Sequence, residues 1–396
     1  SSDKKIQAYD GKTGEMTLAV ENAHAGGIYG IAFNPESTHF ITASADKTIK
    51  LWNAESLDLE QTFSIADPQL GDAQVAVVWS KHAIISVSLN GNINIWNKEK
   101  SDGPERVIQA HQVGIGALAV DRDAQAVFTG SYDGVVCKRT ISTENCDCTR
   151  VTGQDAKQMS GASHTGKIVG IAVVQGGLVS AGWDDKLRFS TTDATAAYHT
   201  HVDLNGQPNC LATCTTTTDL LLVVTNSEVA LYRGASKVSS ISVAELGFAP
   251  TCGALLNEEE VAIGGADFKT HIYALQNLVF TPVCSIDTRS AVSAVSYSPT
   301  GECLAIGDEG RQVELYARGS WEAVVKGKWV YHTSRITCLS WSPEGKYLAS
   351  GSLDENVFVW NPNPAKHSES VQLDFTHTGG ALAVGWLAEG KLVPAG

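Results

Sequence analysis

Short runs of alternating apolar and polar residues recur along the chain, each cut off by turn residues. Ile28 to Phe33 runs into Asn34-Pro35, Val292 to Tyr297 into Ser298-Pro299, and Ile336 to Trp341 into Ser342-Pro343. Proline has no N–H to give a ladder, so a strand is expected to end at each of these points. A second run follows each one (Phe40 to Ala43, Cys303 to Ile306, Tyr347 to Ser350), then a turn carrying Asp, Asn or Gly. A third run closes on a large residue, and a more polar fourth completes the unit (Asp58 to Ile65, Trp321 to Lys326). Period-two alternation without a sustained 3.6-residue window predicts antiparallel β-structure throughout.

The units repeat. Ser44–Trp52, Ser88–Trp96, Ser131–Arg139 and Ser352–Trp360 share one turn-and-strand pattern. Weaker copies are Gly182–Phe189, Asn226–Tyr232, Gly265–Tyr273 and Gly307–Tyr316, and the chain opens on another, Ser2–Tyr9. The turn positions 3, 46, 90 and 133 step by 43, 44 and 43 residues. First strands are expected at 27–33, 73–79, 113–120, 167–174, 207–214, 249–255, 291–297, 334–341 and 379–386. Four short strands in roughly 43 residues is the arithmetic of a propeller blade.

These residues resemble the WD-repeat family over essentially the whole chain. The resemblance implies an all-β, WD-repeat β-propeller. A second spacing accompanies it: His24, His111 and His332 each lie 22 residues ahead of Asp46, Asp133 and Asp354, and His164 lies 20 ahead of Asp184. In the family this His precedes the first strand and this Asp sits in the turn after the second. A Ser or Thr and the third-strand Trp, here Trp52 and Trp360, complete a hydrogen-bonded set. The set would satisfy polar groups that burial otherwise makes costly. The functional alternative is a row of catalytic or metal-binding His/Asp pairs. Recurrence at one spacing favours the structural role, because an active site is needed only once. Arg139 stands where a Trp is due, so its set is expected to be incomplete and its blade looser.

Nine first strands exceed the roughly four to eight blades of one ring. Residues 1–100 are therefore expected to be the terminal blades of a first, truncated propeller. Residues 101–396 would form a second, seven-bladed propeller lacking its final strand or strands. Pro104 to Gln109 would serve as the outer strand of that ring's last blade, and Lys98–Gly103 as the linker.

Composition narrows the functional classes. The 396 residues carry 43 acids against 29 bases, a formal net charge of −14, with no dense Lys/Arg run. Nucleic acid and anionic membrane surfaces are thus disfavoured partners. A partner with basic patches fits the charge, and so does simple solubility. No stretch reaches the ~18 apolar residues of a spanning helix. The opening Ser1–Lys5 is polar, unlike a signal peptide, and lacks an initiating Met, as if the chain began inside a longer protein. Nine cysteines, among them Cys210, Cys214, Cys252 and Cys338, lie mostly in apolar runs and read as reduced and buried in a cytosolic protein. Cys146 and Cys148 are too close for the usual zinc spacing and read as part of a polar loop. No nucleophile elbow, phosphate loop or zinc helix is present, so no enzyme, cofactor or metal is expected. Asp184-Asp185 reads as a turn before it reads as a carboxylate pair, and Thr215–Asp219 reads as a turn.

Several irregular segments carry a narrower resemblance. They include Ser2–Ile6 with Asp10–Gly14, Gln74–Val78, Ile84–Leu89, His111–Leu118 and Thr129–Gly134, followed by Trp183–Leu187, Trp329, His332–Trp341 and Gly351–Asp354. Their order is similar to that of the actin-interacting branch of the family, a tandem pair of seven-bladed propellers. The resemblance implies a cytoplasmic protein of the actin cytoskeleton. It would bind actin filaments and promote their disassembly with cofilin-class severing proteins, without catalysis. Contacts attributed to blades ahead of this sequence do not carry over. The alternatives are a general WD-repeat scaffold in another complex and, third, a propeller hydrolase. Trp329, Tyr331, His332 and Arg335 form a candidate exposed interface, weighed against a packed inter-blade connection.

Overall fold

The computed structural model describes residues 3–10, 12–80, 83–100, 103–108, 111, 113–124, 126–141, 146–151, 163–174, 177–190, 198–213, 219–363, 370–374, 376–377, 379–388 and 390–396. Among them the regular elements are strands, apart from a 3-10 turn (Leu70–Asp72) and one helical turn (Val243–Leu246). Ser242 and Glu245 cap that turn reciprocally, and Gly247 ends it at φ 76°.

The chain divides into two compact units, Ser1–Gln112 and Val113–Gly396. In the first, Ile6–Tyr9 pairs with Met16–Val20, and two four-stranded antiparallel sheets follow. Their innermost strands are Ile28–Phe33 and Gln74–Trp79. Ile41, Ile49, Leu51, Phe63, Val77, Ile84 and Trp96 fill the space between the two sheets.

The boundary falls later than the sequence suggests. Arg106–Ile108 pairs with Ile93–Trp96 and completes the second four-stranded sheet of the first unit. It is not the outer strand of the second ring's last blade, and the expected linker 98–103, of which positions 101 and 102 lie outside the described residues, falls between two strands paired in one sheet. A polar, glycine-containing segment suits a hairpin and a linker equally, so composition does not separate the two.

The second unit is a ring of seven sheets. Their innermost strands are Ile115–Asp121, Ile168–Val174, Pro208–Thr213, Pro250–Leu256, Val292–Tyr297, Ile336–Trp341 and Ala383–Ala388. Among the described residues six blades have four strands each, and the seventh is the pair Ala383–Ala388 and Lys391–Ala395. Each innermost strand neighbours the next, and the seventh returns to the first. Six apolar clusters occupy the six successive blade interfaces. At the closing interface, a Cβ on Gly385 would lie 2.5 Å from Leu118 Cδ2 and 2.8 Å from Val120 Cγ2.

Two sets of hydrogen bonds stitch the ring around its axis. Each innermost strand of the six full blades has a register break at its second residue: Gly116, Val169, Asn209, Thr251, Ser293 and Thr337. A bulge re-aims the side chain it carries, and three of these reach the following blade. Asn209 Nδ2 donates to the Pro250 carbonyl (3.2 Å), Thr251 Oγ1 to that of Val292 (2.5 Å), and Thr337 Oγ1 to that of Ala381. Toward the far end of the strands the direction reverses. Trp341 Nε1 donates to Ser296 O (3.2 Å), Trp386 Nε1 to Ser340 O (3.0 Å), and Arg122 Nε to Trp386 O (3.2 Å). The last of these joins the first blade to the seventh.

Six of the nine cysteines have described side chains, all free thiols. Cys137 and Cys252 are buried, while Cys210, Cys284, Cys303 and Cys338 are half-buried. Burial pushes the Cys252 thiol up to about 12 and that of Cys338 to about 11, which keeps both protonated and unreactive. Cys146 and Cys148 lie in a strand, Cys146–Val151, and not in a loop. Cys214 and positions 215–218 lie outside the described residues.

Gly385 tests the closure. Gly385→Ala forces the added carbon into Leu118 and Val120 and is expected to destabilise the chain by about 1–3 kcal/mol in urea unfolding. An unchanged midpoint would mean that the seventh blade does not pack on the first.

Candidate functional site

Three of the four His-Asp spacings, those of His24, His164 and His332, resolve into buried sets. His24 Nδ1 donates to Asp46 Oδ2 (2.9 Å), and its Nε2 meets Thr42 Oγ1 (2.7 Å), which also accepts Trp52 Nε1–H (2.8 Å). His332 does the same with Asp354 (2.9 Å) and Ser350 (2.8 Å), and Trp360 Nε1 donates to Ser350 at 2.8 Å. The proton directions follow from chemistry. A carboxylate only accepts, so Nδ1 carries the hydrogen. The hydroxyl then gives its one proton to Nε2 and accepts the indole N–H on its lone pair.

The aspartates also hold the backbone. Asp46 Oδ2 accepts the Ala25 N–H (2.9 Å) and its Oδ1 the Thr48 N–H (3.0 Å); Asp354 accepts those of Thr333 (2.7 Å) and Asn356 (3.1 Å). Burial alone would raise both carboxyls. For Asp46 the bonds from His24 and Thr48 outweigh it, and for Asp354 those from Thr333 and His332 do, so both sit below the usual range. Burial pushes the His332 imidazole below its ordinary 6.5, against the pull of Asp354.

The remaining sets vary. His164 Nδ1 bonds Asp184 Oδ1 (2.7 Å) and its Nε2 meets Ser180 Oγ (2.8 Å), but the fourth member is Tyr198, from the outermost strand, at 3.0 Å from Ser180. Arg188 also reaches Asp184, at 3.3 Å. In the sheet that starts at Gln74, an amide replaces the imidazole: Ser86 Oγ donates to Gln74 Oε1 (2.6 Å) and accepts Trp96 Nε1–H (2.8 Å). The order Gln74, Ser86, Asn90, Trp96 is the signal that finds this set, once Gln is admitted in place of His. His111 is half-buried ahead of Ile115–Asp121, and Asp133 accepts from the Ser131 hydroxyl. The Arg139 side chain lies outside the described residues.

Asp184 and Asp185 are not a carboxylate pair for chemistry. In five of these turns the residue after the Asp or Asn is left-handed: Lys47 (70°), Gly91 (76°), Gly134 (84°), Asp185 (55°) and Glu355 (70°). Asp185 is thus the turn residue of its blade.

The candidate interface of Trp329, Tyr331, His332 and Arg335 divides. Trp329 is 1% exposed and stacks on Trp360 with ring centroids 5.1 Å apart; His332 is 2% exposed. Both belong to the core. Tyr331 is 51% exposed, and Arg335 is exposed beside Glu309 at 3.4 Å.

Arg335 opens onto the mouth of the second unit's central channel, a cavity of 380 Å³. Gly116, Tyr132, Lys167, Trp183 and Glu309 line it along with the bulge residues of the innermost strands. Lys167 Nζ sits 4.4 Å from the Tyr132 ring centre and 5.1 Å from that of Trp183. No helix of the described residues is long and apolar enough to cross a membrane.

Four-stranded antiparallel blades closed into a ring, with a His–Asp–Ser–Trp set in the blade of His332, give the second unit the architecture of a WD-repeat β-propeller, and WD repeats are matched in three stretches of the chain. The family described as "WD domain, G-beta repeat" matches residues 16–53, 103–137 and 325–361. Among named relatives, Actin-interacting protein 1 of Drosophila melanogaster is 33% identical over 368 residues, covering 92% of this chain and 58% of that protein. Actin-interacting protein 1-2 of Arabidopsis thaliana is 32% identical over 408 residues, covering 100% and 64%. WD repeat-containing protein 1 of Gallus gallus is 30% identical over 403 residues, covering 99% and 63%. The chain spans about 60% of the length of these relatives.

Ser350→Ala removes the atom shared by His332 and Trp360 and leaves two buried groups unpaired. It is expected to cost about 2–4 kcal/mol in chemical denaturation, whereas Arg335→Ala should stay within about 0.5 kcal/mol. Similar losses for the two would overturn the division between core and surface.

A pH dependence also follows. The unfolded His332 takes its proton near 6.5 and the folded one resists it, so this contribution is complete above 6.5 and is lost as pH falls below it. The lowered Asp46 and Asp354 carboxyls act in the same direction below 3.8. The melting temperature should drop on going from neutral to mildly acidic buffer, and less steeply in His332→Gln, since an amide fills the same place at Gln74. Equal slopes in calorimetry would mean that His332 is charged when folded.

Proposed function

We propose that this chain belongs to a cytoplasmic actin-cytoskeleton protein. It binds actin filaments and promotes their disassembly together with a cofilin-class severing protein. The observation that carries the reading is the match to proteins named for actin interaction, which runs through 92–100% of this chain at 32–33% identity.

The action is binding and not bond-making. The His24, His164 and His332 imidazoles are held on both nitrogens by partners inside their own blades. An imidazole so held has no free lone pair or proton to offer a substrate. Filament disassembly needs no covalent step from the binder. A surface that contacts the cofilin-decorated filament better than the bare one shifts the population toward the decorated, severable state by that difference in affinity. A rigid ring suits this role, because little ordering is lost on docking.

Co-sedimentation with actin filaments, with and without a cofilin-class protein, tests the reading. The pelleted fraction of this chain is expected to rise several-fold when the cofilin-class protein is present. Equal pelleting in both arms, or none in either, would remove the assignment and leave the fold untouched.

A further inference from the structure

We infer that the mouth of the second unit's channel binds an acidic peptide segment of a partner protein, held by Lys167 and Arg335 between the walls of Tyr132 and Trp183. This does not rest on the actin reading.

Lys167 carries the argument. Its ammonium lies over two aromatic rings, at 4.4 and 5.1 Å, and makes no ion pair among the described residues. The two rings are 42% and 49% exposed, unusual for a Tyr and a Trp on the rim of a ring whose other aromatics are mostly packed between blades. Ring faces hold the cation in place without neutralising it, so its charge stays available to an incoming anion. Two acids of the adjoining turns, Asp133 and Asp184, are engaged elsewhere. Asp133 accepts from Ser131, and Asp184 from His164 and Arg188.

The backbone makes room for this arrangement. The other five full blades carry a side chain at the bulge position, but the first has Gly116. A Cβ there would lie 2.9 Å from Tyr132 Cε1 and 3.3 Å from Lys167 Cε. The missing side chain is what lets the Lys–Tyr pair lie against the channel wall.

Arg335 supplies the second cation. Its bond to Glu309 is long, 3.4 Å, and both side chains are about half exposed, so a better-placed carboxylate can displace it. Two cations against one acid make this mouth positive in a chain of net charge −14. The same global charge opposes an extended phosphate backbone. A short carboxylate-bearing peptide presents its charge only at the mouth, within a Debye length of Lys167 and Arg335.

Fluorescence anisotropy on the whole chain tests the inference. The probes are fluorescein-labelled Asp-Glu-Asp-Glu, its Asn-Gln-Asn-Gln counterpart and a labelled thymidine octanucleotide. The acidic peptide is expected to bind, with affinity falling as salt rises. Lys167→Gln should weaken it about tenfold, the loss of one charge-assisted contact, and Arg335→Gln should weaken it by a smaller factor. Arg318→Gln, an exposed cation outside the mouth, should leave it unchanged, and melting curves confirm that each variant is folded. Binding that survives both Lys167→Gln and Arg335→Gln overturns the inference. So does equal binding of the neutral peptide, tighter binding of the octanucleotide, or no anisotropy change with the unaltered chain.

Discussion

A twisted four-stranded sheet has two faces, and in a ring each must be covered by a neighbouring blade. That constraint governs the second unit. The six apolar clusters each draw on two successive blades, so no blade has a core of its own. Apolar contact sets how close the blades come but is indifferent to rotation about the axis. The inter-blade hydrogen bonds supply direction: hydroxyl and amide side chains at the bulges point to the following blade, and Trp341, Trp386 and Arg122 point back to the preceding one. Sliding one blade past another breaks bonds at both levels. Glycine at Gly385 then allows the first and seventh blades to approach as closely as the rest.

Within a blade, the problem is a buried imidazole. An unpartnered ring nitrogen would cost more than most single contacts return. The His–Asp–hydroxyl–indole order solves this because every donor meets an acceptor with no atom left over. The solution is tolerant of substitution as long as the hydrogen-bond directions survive. Gln74 keeps them with an amide, and Tyr198 keeps them from a different strand. The blades beginning at Pro208 and Pro250 rely more on aliphatic bulk, with Leu220, Leu222, Leu231, Val261 and Ile263 packed between them.

The strands were readable because proline and turn residues interrupt the alternation at fixed distances. Asn34-Pro35, Ser298-Pro299 and Ser342-Pro343 mark strand ends at Phe33, Tyr297 and Trp341 in both sequence and structure. What was not readable has local physical causes. Trp329 ends the strand Ala323–Trp329, where Gly327 at φ 67° and two register shifts against the neighbouring strand break the alternation. Past such a break, period two no longer says which way a side chain faces, so its burial against Trp360 was hidden. Tyr198 reaches Ser180 from a strand 18 residues away, a partnership with no recurrent spacing to betray it. The pairing of Arg106–Ile108 depends on which of two sheets offers an open edge, and that is a tertiary fact. The Lys167 cluster joins residues of successive blades for the same reason.

The division between spent and available chemistry follows from this architecture. Imidazoles, carboxylates and hydroxyls that recur in every full set face inward and are satisfied there, so they fix the blades and leave nothing for a ligand. Chemistry for a partner must come from positions the repeat does not dictate. Those are the turn residues beside the conserved-geometry Asp or Asn, the second residue of each innermost strand, and the short connections between blades. Tyr132, Trp183, Lys167, Gly116 and Arg335 all occupy such positions. A propeller's specificity is therefore written in the residues that break its pattern, and the channel mouth is where five of those breaks in this chain converge on one cavity.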